Sequence, residues 1–185
     1  MSGKSPRWPI ETERLHLRPF APDDLEALHE IYSDPGVVRY LYDDVRSLDE
    51  VRELLDRKLG QTSLAREGDA LAVAVVSRET GRLVGTLALQ WVSEAHRQGE
   101  IGFVMHPAEH GRGYATEAAR PLLAYAFEEL RLHRLVGRTE ARNIGSARVL
   151  EKLGMRREAH LVENEWVKGE WQSELIYAIL AREAS

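Results

Sequence analysis

The chain has 185 residues, a formal net charge of −5, no cysteine, 43% hydrophobic residues and 30% charged ones. That size suits one domain with a substantial core, and the missing cysteines exclude disulfides, thiolate metal centres and a cysteine nucleophile. The net acidity argues against the basic surface that broad nucleic-acid binding requires. No apolar run reaches the ~18 residues of a membrane-spanning helix. The opening stretch, residues 1–9, lacks the apolar core of a secretory signal. The expectation is therefore a cytoplasmic protein with a short extended arm over residues 1–9 and a single domain over residues 10–185.

In chain order, Leu15, Leu17 and Phe20 alternate with His16 and Arg18, as in a half-buried strand. Pro22-Asp23-Asp24 opens a helix whose apolar face is Leu25, Leu28, Ile31 and Tyr32, and Asp34-Pro35-Gly36 breaks it. Ser47-Leu48-Asp49-Glu50 is a capping box for a second helix carrying Val51, Leu54, Leu55 and Leu59 on one side. Residues 70–77 and 83–91 read as a hairpin, and 98–105 as a further strand after a polar loop.

Pro107 ends that strand, and a glycine-rich turn leads into a long helix reaching about residue 130, with Pro121 inside it costing one hydrogen bond and bending it locally. Residues 134–139 form a strand. Asn143 caps the last helix and Gly154 stops it. Strands over 156–165 and 174–180 finish the chain. The resulting β-α-α-β-β-β-α-β-α-β-β order predicts an α/β fold, a mixed sheet with helices on its faces.

One segment concentrates the chemistry. Between the strand ending at Met105 and the helix beginning near Tyr114 stands His110-Gly111-Arg112-Gly113. Glycines let the backbone come close to a ligand, and the following helix aims its free N–H groups and positive dipole end at the same point, an arrangement suited to phosphate. An isolated Gly-x-Gly is also an ordinary tight turn. The Gly-Lys-Ser/Thr ending of a P-loop is absent, and Thr116 stands where a dinucleotide fingerprint needs its third glycine.

In context, the segment resembles the acetyl-CoA-binding motif of the GCN5-related N-acetyltransferases, and more narrowly the branch that includes RimJ/RimL-type ribosomal-protein N-terminal acetyltransferases. The resemblance covers Thr12-Glu13-Arg14-Leu15, Glu100-Ile101-Gly102-Phe103, residues 111–118, residues 143–155 and the last strand. It implies a sheet whose fourth and fifth strands, counted in the order above, splay apart to admit the pantetheine arm of acetyl-CoA. Backbone groups of Phe103, Val104 and Met105 would then bind the pantetheine. Backbone N–H groups of His110, Gly111, Arg112, Gly113, Tyr114, Ala115 and Thr116 would bind the pyrophosphate. Ala108 departs from the Gln or Arg that many relatives carry three residues before the first glycine, which removes one side-chain contact and leaves the backbone cradle.

The resemblance implies direct attack of a primary amine on the thioester, with the backbone near Val104 polarising the carbonyl. Glu100 is the first candidate base if burial raises its pKa, and otherwise a solvated strand-end residue; Glu163 and Glu165 are its rivals, and Glu94 a more distant one. Many relatives place a proton-donating tyrosine seven residues after the Asn143 position; this chain has Leu150. The RimJ/RimL-like branch points instead to Ser146 as the hydrogen-bond donor to the thiol, with Asn143 holding a pantetheine amide while capping its helix. Arg148 and Lys152 could meet the ribose phosphate or simply face solvent.

His106, Glu109 and His110 lack a further ligand, so no metal is expected. Trp166 and Trp171 flank Gly169 with Glu163, Glu165, Glu170 and Glu174 nearby, a stretch that can receive a cationic acceptor, pack against a second subunit of a homodimer, or form a hairpin tip. The expected acceptor is a protein N-terminal amine. The alternatives are a small amine such as an aminoglycoside or polyamine, or a non-catalytic acyl-CoA-binding module.

Overall fold

A computed structural model describes residues 3–184. The strands are β1 Ile10–Glu11, β2 Leu15–Arg18, β3 Ala70–Ser77, β4 Leu83–Ser93, β5 Gln98–Met105, β6 Arg134–Glu140, β7 Arg156–Val167 and β8 Glu170–Leu180. The α-helices are α1 Leu25–Tyr32, α2 Pro35–Val38, α3 Leu48–Gly60, α4 Tyr114–Glu128 and α5 Ile144–Lys152. All strands join one sheet in the order β1-β2-β3-β4-β5-β6-β8-β7. Every pairing is antiparallel except that of β5 with β6.

The centre of the sheet is buried on both faces, and the sequence of β3 shows why. Leu71, Val73 and Val75 contribute to one core, and Ala72, Ala74 and Val76 to the other, since successive strand residues point to opposite faces. The first core takes α4 and α5 through Ala118, Ala119, Leu122 and Leu150. The second takes α1 and α3 through Leu28, Ile31, Val51 and Leu55. The Ser47–Glu50 capping box forms as the sequence predicts, with the Ser47 N–H donating to Glu50 and the Glu50 N–H to Ser47 Oγ.

The differences from expectation are local. Asp34-Pro35-Gly36 does more than end α1: the Asp34 carboxylate accepts from the Gly36 and Val37 N–H groups and starts α2. The arm is tied down in the part that is described, with Lys4 bridging to Leu64 and its Nζ donating to the Glu129 carbonyl; Met1 and Ser2 lie outside the described residues. α4 runs unbroken through Pro121. The tryptophan stretch is a hairpin tip, turned by Lys168 and Gly169, which both have positive φ as a two-residue type I′ turn requires.

Candidate active site

β5 and β6 pair only from Gln98↔Arg134 to Glu100↔Val136. Beyond that point β5 stays with β4 as far as Met105, and β6 stays with β8 as far as Glu140. The two strands therefore part, and a cleft of about 990 Å³ opens there, reaching from the turn before α4 to the β7–β8 hairpin.

The ladder register decides which backbone groups face the gap. The His106 N–H donates to the Val84 carbonyl, and β5 pairs with β4 without a register shift from Gly99 to Met105. Antiparallel alternation then turns the N–H and C=O of Glu100, Gly102 and Val104 toward β4, and those of Ile101, Phe103 and Met105 toward β6. Val104, the residue expected to polarise a carbonyl through its N–H, thus has its backbone committed to the ladder. Phe103 and Met105 do not, although the Met105 carbonyl lies 3.2 Å from His110 Nε2.

The loop before α4 is shaped by Gly111 (φ +78°) and Gly113 (φ +82°), a left-handed conformation open to glycine at little cost. The His110 N–H is spent on the Pro107 carbonyl. From residue 111 to residue 116, no backbone N–H donates to a protein acceptor among the described residues. The loop is held from outside. Arg14 donates to the Arg112 carbonyl and to the Glu117 carboxylate, and the Arg14 and Arg112 guanidinium groups lie 4.8 and 4.9 Å from the Tyr114 ring centroid. Tyr114 is accordingly a packed residue, 3% exposed.

α5 begins at the cleft. The Asn143 side-chain oxygen accepts from the Ser146 N–H, an N-cap in which the Asn143 amide NH₂ has no partner among the described residues. Asn143, Ser146, Arg148 and Lys152 all line the cleft. Leu150 does not: it is 1% exposed and packs directly on Gly137, where a Cβ would collide with it.

On β6, Arg138 joins two carboxylates, donating from Nε to Glu100 at 3.2 Å and from Nη1 to Glu174 at 3.1 Å. Burial pushes the Glu174 carboxyl up from its ordinary range; Arg138 opposes that shift, and Glu165 and Glu100 add to it. The Tyr42 hydroxyl donates to Glu165 at 2.7 Å, and the charge it faces raises that phenol to about 12. On the α3 side, Lys58 donates to Thr86 Oγ1 at 3.1 Å, and burial lowers its ammonium to about 8.

The structure thus brings Glu100, Phe103, Val104, Met105, the turn from His110 through Thr116, Asn143 and Ser146 to one cleft or its rim. Glu165 belongs with them. Glu163 and Glu94 do not line it: the Glu163 N–H donates to Ser173 Oγ beside a register shift in β7, and the Glu94 N–H to Glu67. His106 Nδ1 accepts from the Ala108 N–H, and Glu109 pairs with Arg112, so these side chains serve the turn.

Sequence reasoning missed Arg138 and Lys58, and named Glu174 only as part of an acidic stretch able to receive a cationic acceptor. Lys58 had a usable signal, since it lies seven residues after Val51 on the apolar stripe of α3. Arg138 had none, because its meeting with Glu174 depends on β8 returning between β6 and β7.

Comparison with known proteins identifies the family. A family model described as acetyltransferase (GNAT) domain matches residues 14–156. The chain is 33% identical over 174 residues to an uncharacterized N-acetyltransferase, YnaD, of Bacillus subtilis, covering 94% of this chain and 98% of that one. A crystal structure of a GNAT-family acetyltransferase from Bacillus anthracis superposes with a TM-score of 0.84 at 35% identity, over 94% of this chain and 99% of that one. A spermidine N(1)-acetyltransferase of Vibrio cholerae is 26% identical over 160 residues, covering 86% of this chain and 88% of its own length.

Proposed function

The chain belongs to the GNAT acetyltransferase family and is an acyltransferase of the N-acetyltransferase type, and from that premise we propose that it acetylates a primary amine bound against Glu100, Arg138 and Glu174. Members of the family use acetyl-CoA, which supplies the acetyl group as a thioester. The residues present fit it. Unspent N–H donors from residue 111 to 116 at a helix N-terminus match a pyrophosphate, and the backbone edges of Phe103 and Met105 match the amides of a pantetheine arm. The Asn143 amide adds a donor on the opposite wall.

In this reading each side chain has one task. Glu174, whose burial raises its affinity for a proton, takes the proton from the incoming ammonium. Glu100 holds Arg138, which keeps Glu174 charged. The N–H groups at Phe103 and Met105 are the donors aimed into the gap where negative charge develops on the acyl oxygen. Ser146 Oγ, set by the Asn143 cap, donates to the departing sulfur.

The carrying observation is the carboxylate cluster at the point where β5 and β6 part, with Glu174 buried and Glu100 and Glu165 half-buried. It favours a cationic acceptor, and the likeness to a spermidine enzyme supports a small amine. The second reading, a protein N-terminal amine as in the RimJ/RimL-like branch, draws on the Asn143-x-x-Ser146 spacing and on Leu150. Thiol release from acetyl-CoA with polyamines, aminoglycosides and N-terminal peptides tests both. Turnover confined to peptides favours the second reading, and turnover with no amine overturns the proposal.

A further inference from the structure

Lys58 is 8% exposed, yet it lines the cleft. Its polar partner is Thr86 Oγ1, the Phe20 ring centroid lies 5.2 Å away, and the charges acting on it are the cations Arg57 and Arg46. Among the described residues no carboxylate forms an ion pair with it. A buried ammonium without an anion is costly, and the cost is offset when an anion with hydrogen-bonding capacity arrives. Thr86 is the direct ladder partner of Val104, so Lys58 stands on the same sheet face as Val104 and Glu100. On this face of the cleft Glu100, Glu165 and Glu174 are grouped around Arg138 on one flank, and Lys58, without a carboxylate partner among the described residues, stands on the other.

We propose that Lys58 and Thr86 form a carboxylate subsite, so that the acceptor is an amine that also bears a carboxylate, such as an amino acid or a short peptide. The inference rests on the reading that the cleft receives an amine acceptor. The Lys58 ammonium supplies charge and two further N–H donors, and the Thr86 hydroxyl, which accepts from Lys58, turns its own proton to the same anion. The amine end is left facing Glu174. Spermidine carries no anion, so this subsite separates the chain from its spermidine-acetylating relatives.

The test uses the whole protein and two readouts. Acetylation of L-lysine is compared with that of cadaverine, which differs only by lacking the carboxylate. The kcat/KM ratio is expected to favour L-lysine by about tenfold or more, as for a site built around a polar group the analogue lacks, and to fall to about one in Lys58→Met. Independently of turnover, CoA-loaded protein is titrated with N-acetylglycine and with N-acetylglycinamide, while the Lys58 amine is followed by NMR. Binding of the carboxylate with an upward shift of the Lys58 pKa, and no binding of the amide, supports the subsite. Equal behaviour of the two probes with Lys58 unmoved overturns it, and does so even where amine acetylation proceeds. Carboxylate binding at Lys58 with no amine acetylated would support the subsite and remove the acceptor reading instead.

Discussion

Arg138 donates to the Glu174 carboxylate at 3.1 Å, and the pair sets two opposing effects on one titration. Burial raises the Glu174 pKa, the guanidinium lowers it, and burial wins. With Glu174 as base, kcat/KM should fall on the acid side with an apparent pKa above the ordinary carboxylate range. Arg138→Met should move that limb to still higher pH. A pH–rate profile of the two proteins checks this, and a limb that stays in place removes Glu174 from the role. Stability follows the same sign. A carboxyl with a raised folded pKa binds its proton more tightly in the folded state, so its contribution is full below the unfolded pKa and is lost as pH rises through the folded one. Glu174→Gln should abolish that part of the pH dependence in thermal melts.

Lys58 predicts the mirror case at alkaline pH. Its ammonium is held near 8 from a usual 10.5, so between those values the unfolded chain binds the extra proton and stability rises with pH. Below pH 8 the penalty is complete, up to about 3 kcal/mol for a shift of this size. Lys58→Met should therefore be more stable than the parent at pH 7, by less than that figure because the Thr86 hydrogen bond is lost. The gap should close toward pH 10.5 in denaturant titrations.

Gly113 should tolerate no acidic side chain. At φ +82° a Cβ is strained and would stand 3.7 Å from Arg14 Nη2, and a carboxylate would compete for the N–H groups meant for phosphate. Gly113→Glu should weaken acetyl-CoA binding by roughly tenfold or more in calorimetry, about 1.4 kcal/mol. Gly111→Ala meets open space and serves as the comparison for backbone strain alone. Equal, small losses in both variants would count against the cradle.

Leu150→Tyr, which restores the residue many relatives carry, should not restore a proton donor. Leu150 fills the space over Gly137, and a larger ring overpacks the core at a cost of about 1–3 kcal/mol. That corresponds to a lower Tm by several degrees for a chain of this size, read by calorimetry. Ser146→Ala is the informative variant: it should lower kcat and leave KM for acetyl-CoA near its original value.

Elements that depend on local pattern were legible in the sequence. β5 begins at Gln98 and ends at Met105 as its alternation and Pro107 require, and Ser47, Asn143 and Gly154 cap as their chemistry dictates. α2 escaped because four residues carry too little periodicity to read, and the short strand β1 escaped for the same reason. The stretch proposed to hold the cofactor could be singled out because residues 100–118 are contiguous. The surroundings of Glu100 could not, because Lys58, Arg138 and Glu174 come from three other elements, α3, β6 and β8. Val104 shows the limit within a correctly read strand: which way its N–H points depends on register with β4, and register is a property of two strands.

The parting of β5 from β6 has a mechanical side. Three residue pairs carry the junction between a five-stranded half and a three-stranded half, so the sheet behaves as two plates joined by a narrow hinge. Each plate ends in an edge whose backbone groups invite a partner. A ligand that hydrogen-bonds to both edges acts as a rivet, and slower amide exchange at residues 101–105 and 137–140 on its binding would report the plates locking together.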